Sequence, residues 1–414
     1  MAIIKPFKAV RYNKNINLAD CLTQPYDKIS WELKKEYQSR SPNNLVYVLK
    51  PDDCENKYAK SGELFREWLH SGILVQDNDS GFYPYRQTFE VDGQTHVRSG
   101  FIGLCKVEDY SKRIVFPHEK TLRGPKADRL SLLREGKVHY GLIFMLYEDD
   151  GTVQKIIDDC MEVAPQVTAK DDFDVQNEMW QLTDPEKVKA LKDALSDKEV
   201  FIADGHHRYE TSLAYAKENP DNESAQYTQV MLININSPLV VLPTHRVVRN
   251  IEDYSPAKLR ESLADSFVIE PLASLEQVIT ATKANDNEIC VGCFDGEDFW
   301  SATLKDEATM AELAPEKSDD WQNLDVAVLH SLIIEDTLGI TPEKVAEEAA
   351  VSYHRSPQVA LDKVKSGDGN CAFYLKATKP TQVCNVARNG EVMPQKSTDF
   401  YPKVLSGLAM YMLD

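Results

Sequence analysis

Runs of apolar residues alternate along the chain with stretches in which apolar residues recur at helical spacing. Between about residues 101 and 250, the apolar runs predict buried strands, because short runs bounded by polar residues are typical of a sheet interior. They are FIGLCKV, YGLIFMLY, EVFIAD, QVMLINI and PLVVLPTHRVV. Helical stretches separate these runs. The pattern predicts a central mixed sheet with helices, in an α+β or mixed α/β protein.

The two flanking regions also mix helical and extended patterns. Before residue 100, YAKSGELFREWLHSGIL predicts a helix and Tyr47, Val48 and Leu49 predict a short strand. Beyond about residue 255, SPAKLRESLAD and DVAVLHSLIIEDTL predict helices and EICVGCF predicts a strand. We therefore predict an N-terminal α/β region, a central region and a C-terminal α/β region, over 1–100, 101–252 and 253–414.

Composition and charge narrow the class of protein. Hydrophobic residues make up 42% and charged residues 27% of the 414 residues, as in ordinary globular proteins. The formal net charge of −19 opposes the binding of nucleic acid over any broad face. No apolar run reaches the ~20 residues that a membrane-spanning helix needs, and the N-terminus lacks the pattern of a secretory signal. We expect a cytoplasmic protein.

Eight cysteines are scattered along the chain. The closest pair, Cys290 and Cys293, lies in the strand-like EICVGCF with no histidine or second pair nearby. We predict that both are buried strand residues rather than ligands of a metal or a redox pair, and we predict no cluster of strong metal ligands elsewhere.

The segment IADGHHRYETSLAY joins the strand-like EVFIAD to a helix-like stretch. We predict that Gly205 occupies the turn, because glycine tolerates positive φ and lets the backbone approach a ligand. The N-terminus of the following helix attracts anions. Arg208 adds a two-point donor for a phosphate, and His206 and His207 add further donors. The segment from Asp204 to Arg208 therefore predicts a phosphate-binding site.

Two alternatives stay open for this segment. Asp204 could instead cap the helix, with His206 and His207 exposed in its first turn. The same three residues could bind a metal, although adjacent helical residues point about 100° apart, which disfavours shared ligation by the two histidines.

A second charged segment, FPHEKTLRGPKADRLSLL, lies upstream. Here GPK predicts a turn, and Asp128 predicts the start of a helix. Glu119 is a candidate general base, with His118 or Lys120 tuning it electrostatically. Arg129 is a candidate ligand of the substrate or a phosphate. The alternative is a solvated surface loop without a function of this kind.

Three further motifs are candidates for binding the substrate or a phosphate. His245 and Arg246 follow the apolar run PLVVL, where the end of a strand could project them toward a neighbouring site. Lys396, Ser397 and Thr398 combine a cation with two hydroxyls in a proline-flanked loop. A solvated loop is the alternative for the first pair.

Near the N-terminus, Tyr26 could close the pocket and Asp27 could bind Mg²⁺ through its carboxylate. A capping role for Asp27 and a structural role for Tyr26 are equally good interpretations.

Three of these motifs together resemble the ParB/sulfiredoxin-like superfamily, and within it the free-serine kinases. They are Pro117-His118-Glu119, Asp128-Arg129-Leu130 and Asp204-Gly205-His206-His207-Arg208. The resemblance implies that Glu119 is the catalytic base and that the last motif binds nucleotide phosphates. Sulfiredoxins carry a cysteine where this chain has His206, so their chemistry is not implied. Glu119 and Asp204 are 85 positions apart, which implies an insertion near 148–195.

The chain as a whole resembles a prokaryotic family described as a domain of unknown function. The motifs that carry this resemblance are Pro25-Tyr26-Asp27, Tyr85-Arg86-Gln87, ADGHHRYET, Leu242-Pro243-Thr244-His245-Arg246, Met393-Pro394-Gln395-Lys396-Ser397-Thr398 and Tyr401-Pro402-Lys403. They extend over most of the chain.

The predicted function is a small-molecule kinase that phosphorylates the hydroxyl of a small amino acid, with free L-serine as the expected acceptor. The donor would be ATP, ADP or pyrophosphate, with Mg²⁺. One alternative is a ParB-like switch that changes its binding partner with nucleotide occupancy. The other is a metal-dependent phosphohydrolase that uses Asp204, His206 and His207 as ligands.

Overall fold

The computed structural model describes residues 1–120, 123–346 and 349–414 and has a mixed α/β fold. The strands are β1 (Ile4–Lys5), β2 (Val10–Tyr12), β3 (Leu74–Gln76), β4 (Tyr83–Val91), β5 (Gln94–Lys106), β6 (Val115–Phe116), β7 (Val138–His139), β8 (Ile143–Tyr147), β9 (Val167–Lys170), β10 (Gln176–Met179), β11 (Val200–Asp204), β12 (Tyr227–Asn234), β13 (Val240–Val241), β14 (His245–Val248), β15 (Phe267–Leu272), β16 (Cys290–Phe294), β17 (Phe299–Leu304), β18 (Val351–His354), β19 (Cys371–Tyr374), β20 (Phe400–Tyr401) and β21 (Tyr411–Met412).

The α-helices are α1 (Trp31–Arg40), α2 (Val46–Leu49), α3 (Lys57–His70), α4 (Arg123–Gly136), α5 (Thr152–Cys160), α6 (Pro185–Leu195), α7 (His206–Glu218), α8 (Pro256–Leu263), α9 (Leu275–Lys283), α10 (Ala308–Leu313), α11 (Asp319–Gln322), α12 (Asp325–Val328), α13 (Pro342–Ala346), α14 (Pro357–Lys365) and α15 (Pro380–Arg388). Short 3₁₀ helices cover Leu18–Asp20, Tyr26–Lys28, Tyr110–Lys112 and Ser224–Gln226, and a π-helix covers Leu329–Thr337. None of the described helices combines the length and apolar character that crossing a bilayer requires.

Contacts divide the chain into two compact units. Unit 1 comprises Met1–Pro117, Thr121–Leu239 and Pro402–Asp414, and unit 2 comprises His118–Lys120 and Val240–Tyr401. The predicted boundary near residue 100 falls inside β5, so residues on both sides of it share one sheet of unit 1. The division into three regions and the insertion near 148–195 otherwise stay predictions.

Unit 1 is built on a mixed sheet with the strand order β6-β11-β8-β12-β5-β4-β10-β9, and β1 pairs with β5. β6 with β11 and β8 with β12 are parallel pairs, whereas the other pairs are antiparallel. The predicted runs FIGLCKV, YGLIFMLY, EVFIAD and QVMLINI form its central strands. Alternate residues such as Val230 and Leu232 pack into a buried apolar cluster with Tyr209 of α7.

The run PLVVLPTHRVV does not belong to this sheet, which corrects the prediction. It forms β13, paired with β20, and β14, which lies in the six-stranded sheet β15-β17-β16-β19-β14-β18 of unit 2. Val247 of β14 packs with Val278 of α9 and Ala360 of α14. A buried apolar run indicates a strand but does not indicate the sheet in which it pairs.

Two local predictions are also wrong. Residues 46–49 form the helix α2 rather than a strand, and the Asn44 carboxamide oxygen accepts a hydrogen bond from the Val46 N–H at its start. Because Val46, Val48 and Leu49 are all buried, the pattern of apolar residues fits a helix as well as a strand. GPK lies inside α4 rather than in a turn, and α4 begins before Asp128, since proline is compatible with a first helical turn.

Other predicted elements are confirmed. YAKSGELFREWLHSGIL contains all of α3 except its first residue, and SPAKLRESLAD contains α8, whose N-cap Ser255 accepts from the Lys258 N–H. DVAVLHSLIIEDTL forms α12 and continues as the π-helix, with Val326, Leu329 and Ile333 buried. Cys290 and Cys293 are buried in β16 and form no disulfide.

Candidate functional site

The predicted strand–glycine–helix turn is present in unit 1. β11 ends at Asp204, Gly205 is the N-cap of α7 with φ of 97°, and α7 begins at His206. This φ lies in the region that glycine adopts without strain. A Cβ atom at position 205 would lie 3.0 Å from the guanidinium of Arg208. Glycine therefore permits both the turn and the close approach of Arg208 to it.

Asp204 lies between two cations. Its carboxylate accepts hydrogen bonds from Lys403 Nζ at 2.7 Å and from Arg208 Nη2 at 2.6 Å. Burial would raise the pKa of the Asp204 carboxyl, but the charges of Lys403 and Arg208 hold it well below its usual range. Arg208 also donates through Nη1 to the Leu142 carbonyl. The alternative that Asp204 caps α7 is wrong, since Gly205 holds that position without a side-chain cap.

The two histidines differ in exposure. His206 is buried, with 4% of its surface exposed, and His207 is half-buried. The alternative of an exposed first turn is therefore wrong for His206. Among the described residues, no group of three or more His, Cys, Asp and Glu side chains is arranged to hold a metal ion.

A cleft of unit 1 opens beside Arg208. It has an empty volume of about 520 Å³, part of which is open to solvent. Its walls are largely apolar, with polar contributions from Thr211, Ser406 and Arg129, and Tyr26 also lines it. The structure thus brings three predicted binding residues, Tyr26, Arg129 and Arg208, to the same cleft.

Tyr26 and Arg129 contact each other within this cleft. The guanidinium carbon of Arg129 lies 4.4 Å from the centre of the Tyr26 ring, and Arg129 Nη1 donates to the Leu49 carbonyl at 2.7 Å. Burial and the neighbouring charge of Asp27 raise the pKa of Tyr26 to about 12. Asp27 is exposed in the 3₁₀ helix Tyr26–Lys28, whose N-cap is Pro25, so the capping interpretation of Asp27 is wrong.

In unit 2, the His118–Glu119 segment packs against the loop formed by residues 393–398. The Met393 N–H donates to the His118 carbonyl at 2.9 Å, and His118 Nε2 lies 2.9 Å from Thr398 Oγ1. The Lys396 N–H donates to Glu119 Oε1 at 3.5 Å.

Within that segment, His118 is buried, Glu119 is half-buried and Lys120 is exposed. A wholly solvated loop is therefore wrong for His118. Thr121 of the same charged segment lies outside the described residues.

Arg246 of β14 forms hydrogen bonds with the loop of residues 393–398. Its side chain is fully buried and donates to the carbonyls of Thr244, Gln395 and Lys396, the last two at 3.2 and 3.0 Å. Its Nε also donates to His330 Nε2 at 3.3 Å. The Arg246 side chain thus binds carbonyl groups of the protein's own backbone. The sequence analysis did not predict that this side chain is buried.

His245 is buried beside Arg246. Its Nδ1 accepts from the Leu375 N–H at 3.4 Å, and burial lowers the pKa of the ring to about 4. The solvated-loop alternative is wrong for both residues, and so is the expectation that a strand end projects them outward, because they lie buried within β14. A role for either residue in binding substrate stays a prediction.

The loop also contains the predicted cation and hydroxyl groups. Lys396 is exposed, with φ of 56°, and the Ser397 hydroxyl donates to the Pro394 carbonyl at 2.5 Å. The Thr398 hydroxyl lies against His118.

Sequence reasoning missed the ion pair of Lys403 with Asp204 and the fully buried Arg98 in unit 1. Arg98 Nη2 donates to the Gln87 side chain and to the Pro402 carbonyl. Two signals were available: Gln87 and Lys403 belong to the motifs that mark the family, and Arg98 lies three positions before the apolar strand run that begins at Phe101. A charged residue on a buried strand face requires partners.

Comparison with protein families identifies one family for most of this chain. Residues 4–327 match the model of the family described as "Protein of unknown function (DUF1015)". The chain belongs to this family. The predicted membership is thereby confirmed, and the DUF1015 description itself names no reaction. No functionally curated protein matches this DUF1015 chain significantly.

Among solved structures, a variant of a free serine kinase in complex with AMP has a TM-score of 0.38 and 11% identity, and the match covers 73% of this chain and 88% of that chain. A free serine kinase in complex with AMP has a TM-score of 0.36 and 12% identity, with 73% and 88% covered. A conserved hypothetical protein from Pyrococcus furiosus has a TM-score of 0.35 and 14% identity, with 72% and 91% covered.

Proposed function

We propose that this DUF1015 protein is a small-molecule kinase that transfers a phosphoryl group from ATP, ADP or pyrophosphate to the hydroxyl of a small amino acid, with L-serine as acceptor. The observation that carries the proposal is the position of Asp204 between Arg208 and Lys403 at the N-terminus of α7. Two cations share one carboxylate there, so a positive charge remains at a helix end that itself favours anions. A polyphosphate is the ligand that this arrangement suits.

The cleft beside Arg208 supports a ligand larger than a free phosphate ion. Its largely apolar walls suit an organic group attached to the phosphates. Arg129, which is ion-paired with Asp128, and Tyr26 both line it and contact each other there. Phosphoryl transfer depends mainly on positioning and on neutralising charge, which are the properties that these groups provide.

Glu119 is the proposed general base. The resemblance of its motif to the free-serine kinases implies this role, and its half-buried carboxylate in unit 2 is held by the Lys396 N–H. We propose that it accepts the proton of the acceptor hydroxyl during transfer, with His118 setting its surroundings.

Mg²⁺ fits the proposal as an ion that accompanies the nucleotide. It usually keeps several waters and binds substrate phosphates together with one or two carboxylates. The exposed Asp27, next to the cleft residue Tyr26, is the carboxylate that we propose to hold it, and the ion would offset charge on the phosphates.

The phosphohydrolase alternative requires Asp204 as a metal ligand. Both of its carboxylate oxygens instead accept hydrogen bonds from cationic side chains, which favours the anion site over that ligand set.

The test is to incubate the pure protein with Mg²⁺, each donor and a set of hydroxyl amino acids, and to detect phosphoamino acids by mass spectrometry. We expect phosphoserine with at least one donor. Full activity of both Glu119→Gln and Arg208→Ala, or no product with any donor, would overturn the proposal.

A further inference from the structure

The segment Pro402–Asp414 is an integral part of unit 1. Val10 and Met410 exchange two backbone hydrogen bonds of 2.9 Å, and Thr23 and Ser406 exchange another pair. β21 in the same segment pairs with β7. Lys403 therefore stands at the start of a segment that unit 1 fixes along most of its length.

Two buried side chains of the large sheet fix the backbone at the start of this segment. Arg98 of β5 donates through Nη2 to the Pro402 carbonyl at 2.6 Å, and Gln87 of β4 donates through Nε2 to the Lys403 carbonyl at 3.2 Å. Arg98 also donates to Gln87. Both side chains are fully buried. They hold the backbone of residues 402 and 403 in one place.

Burying an arginine is costly. Burial lowers the pKa of Arg98 to about 10, although the charge of Asp204 acts in the opposite direction. An apolar side chain in this sheet would avoid that desolvation cost. The buried guanidinium instead binds the Pro402 carbonyl and the Gln87 side chain, and Gln87 binds the Lys403 carbonyl. It therefore fixes the backbone of residues 402 and 403.

The side chain of Lys403 extends from this fixed backbone to Asp204. Its ammonium is 2.7 Å from Asp204 Oδ1, and only 9% of the side chain is exposed. The other oxygen of Asp204 accepts from Arg208. Without Lys403, Asp204 and Arg208 would form a neutral pair, and the charge that remains for an anion would be lost.

We propose that Lys403 is a positioning residue of the phosphate site: it shares Asp204 with Arg208, so that Arg208 stays oriented and incompletely neutralised, and available to a polyphosphate. Arg98 and Gln87 in turn hold Lys403. This inference rests on the proposed function, and it assigns to the Tyr401-Pro402-Lys403 motif a role that its sequence alone does not indicate.

The experiment measures binding of pyrophosphate and of ADP to the full chain by isothermal titration calorimetry. Lys403→Met should weaken the binding of pyrophosphate and of ADP by about 10-fold or more, because it removes the charged hydrogen bond to Asp204. Lys403→Arg should restore most of the affinity. Lys403→Gln, whose amide can still donate to Asp204, should behave like Lys403→Met, because the charge is what matters.

The matched control is Lys217→Met, which removes another ion-paired lysine of unit 1, on α7 itself and paired with Asp109 at 2.8 Å. We expect affinities equal to those of the unmodified protein. Melting temperatures of all variants identify loss of folding, in which case Lys403→Gln and Lys403→Arg decide the question.

A double-mutant cycle separates positioning from direct contact with the ligand. In an Asp204→Asn background, Lys403→Met should cost less than about 3-fold, because the carboxylate through which Lys403 acts is gone. A loss undiminished in that background, or a Lys403→Met affinity equal to that of Lys217→Met, would overturn the inference and leave the proposed function standing. No binding of pyrophosphate or ADP by the unmodified protein would overturn the proposed function and this inference together.

Discussion

Gly205 lies so close to Arg208 that a Cβ atom on the glycine would be 3.0 Å from the guanidinium. Its φ of 97° is a second obstacle to any side chain there. The two constraints are separable, because the first concerns the proposed ligand-binding side chain and the second concerns only the backbone.

Gly205→Ala should therefore reduce both stability and ligand binding. We expect a loss of about 1–2 kcal/mol in the free energy of unfolding from the left-handed backbone. Displacement of Arg208 should in addition weaken ADP binding by about 10-fold. Urea denaturation and calorimetry measure the two effects.

Gly151→Ala is the matched control. Gly151 is also the N-cap of a helix, α5, with φ of 103°, but a Cβ there would meet nothing within 4 Å. It should lose similar stability and keep full ADP affinity. Equal affinity losses in the two variants would contradict the specific role of the Gly205–Arg208 contact.

Glu119→Gln should lower turnover by about 100-fold or more, because a general base typically contributes ~10²–10⁴-fold. Affinity for the nucleotide should stay within about 2-fold, since the proposed phosphate ligands are elsewhere in the sequence. Steady-state phosphorylation of serine and ADP calorimetry distinguish these quantities. Glu312→Gln, an exposed glutamate of α10 in the same unit, should leave both unchanged.

Thr398→Val should destabilise the His118–Glu119 segment by removing the contact between the Thr398 hydroxyl and the buried ring of His118. We expect a loss of about 1 kcal/mol in the free energy of unfolding and a several-fold fall in turnover. Thr398→Ser keeps the hydroxyl and should stay close to the unmodified protein in both assays. If the valine and serine variants behave alike, the hydroxyl is not what holds this segment.

The buried His245 should make unit 2 sensitive to acid. Burial lowers its pKa to about 4 from an ordinary value of 6.5, with the charge of Arg246 acting in the same direction. Above pH 6.5 this group has no effect. As the pH falls from 6.5 toward 4, the unfolded chain takes up a proton that the folded ring does not. The free energy of unfolding should then decrease by about 1.4 kcal/mol per pH unit.

Urea denaturation at pH 7, 6 and 5 checks this slope. His245→Asn should reduce the slope without abolishing it, whatever its effect on stability at pH 7, because burial also lowers the pKa of His330 in the same unit. His70→Asn, at the exposed end of α3, should leave the slope as it is. An unchanged slope in His245→Asn would show that this ring is not the group that titrates.

Much of the fold follows from local signals, and the departures have physical reasons. The turn at Gly205 was predictable because a buried strand, a glycine and a helix-forming stretch follow one another within a few residues. Residues 46–49 were not, since three of these four residues are buried and the segment is too short to show a period. The sheet to which β14 belongs depends on pairing with β18 and β19, more than 100 residues downstream.

The candidate site also combines features that the sequence predicts with features that it does not. Arg208 and the helix end that we propose to bind an anion are encoded within a few residues of each other. Lys403 acts on Asp204 through the folded sheet, and no short-range pattern in the sequence expresses that contact. Arg246 belongs to a motif that the sequence singles out, but its burial could not be predicted. Its side chain is fully buried because it binds the carbonyls of residues 395 and 396, which lie 149 and 150 positions downstream.

The 199 positions between Asp204 and Lys403 also set an order of events during synthesis. At ~5–20 residues per second, a ribosome needs roughly 10–40 s to translate that interval. Over this time the nascent chain carries Asp204 and Arg208 without the lysine that balances them. The proposed phosphate site can therefore mature only late in translation, after all of unit 2 has been made.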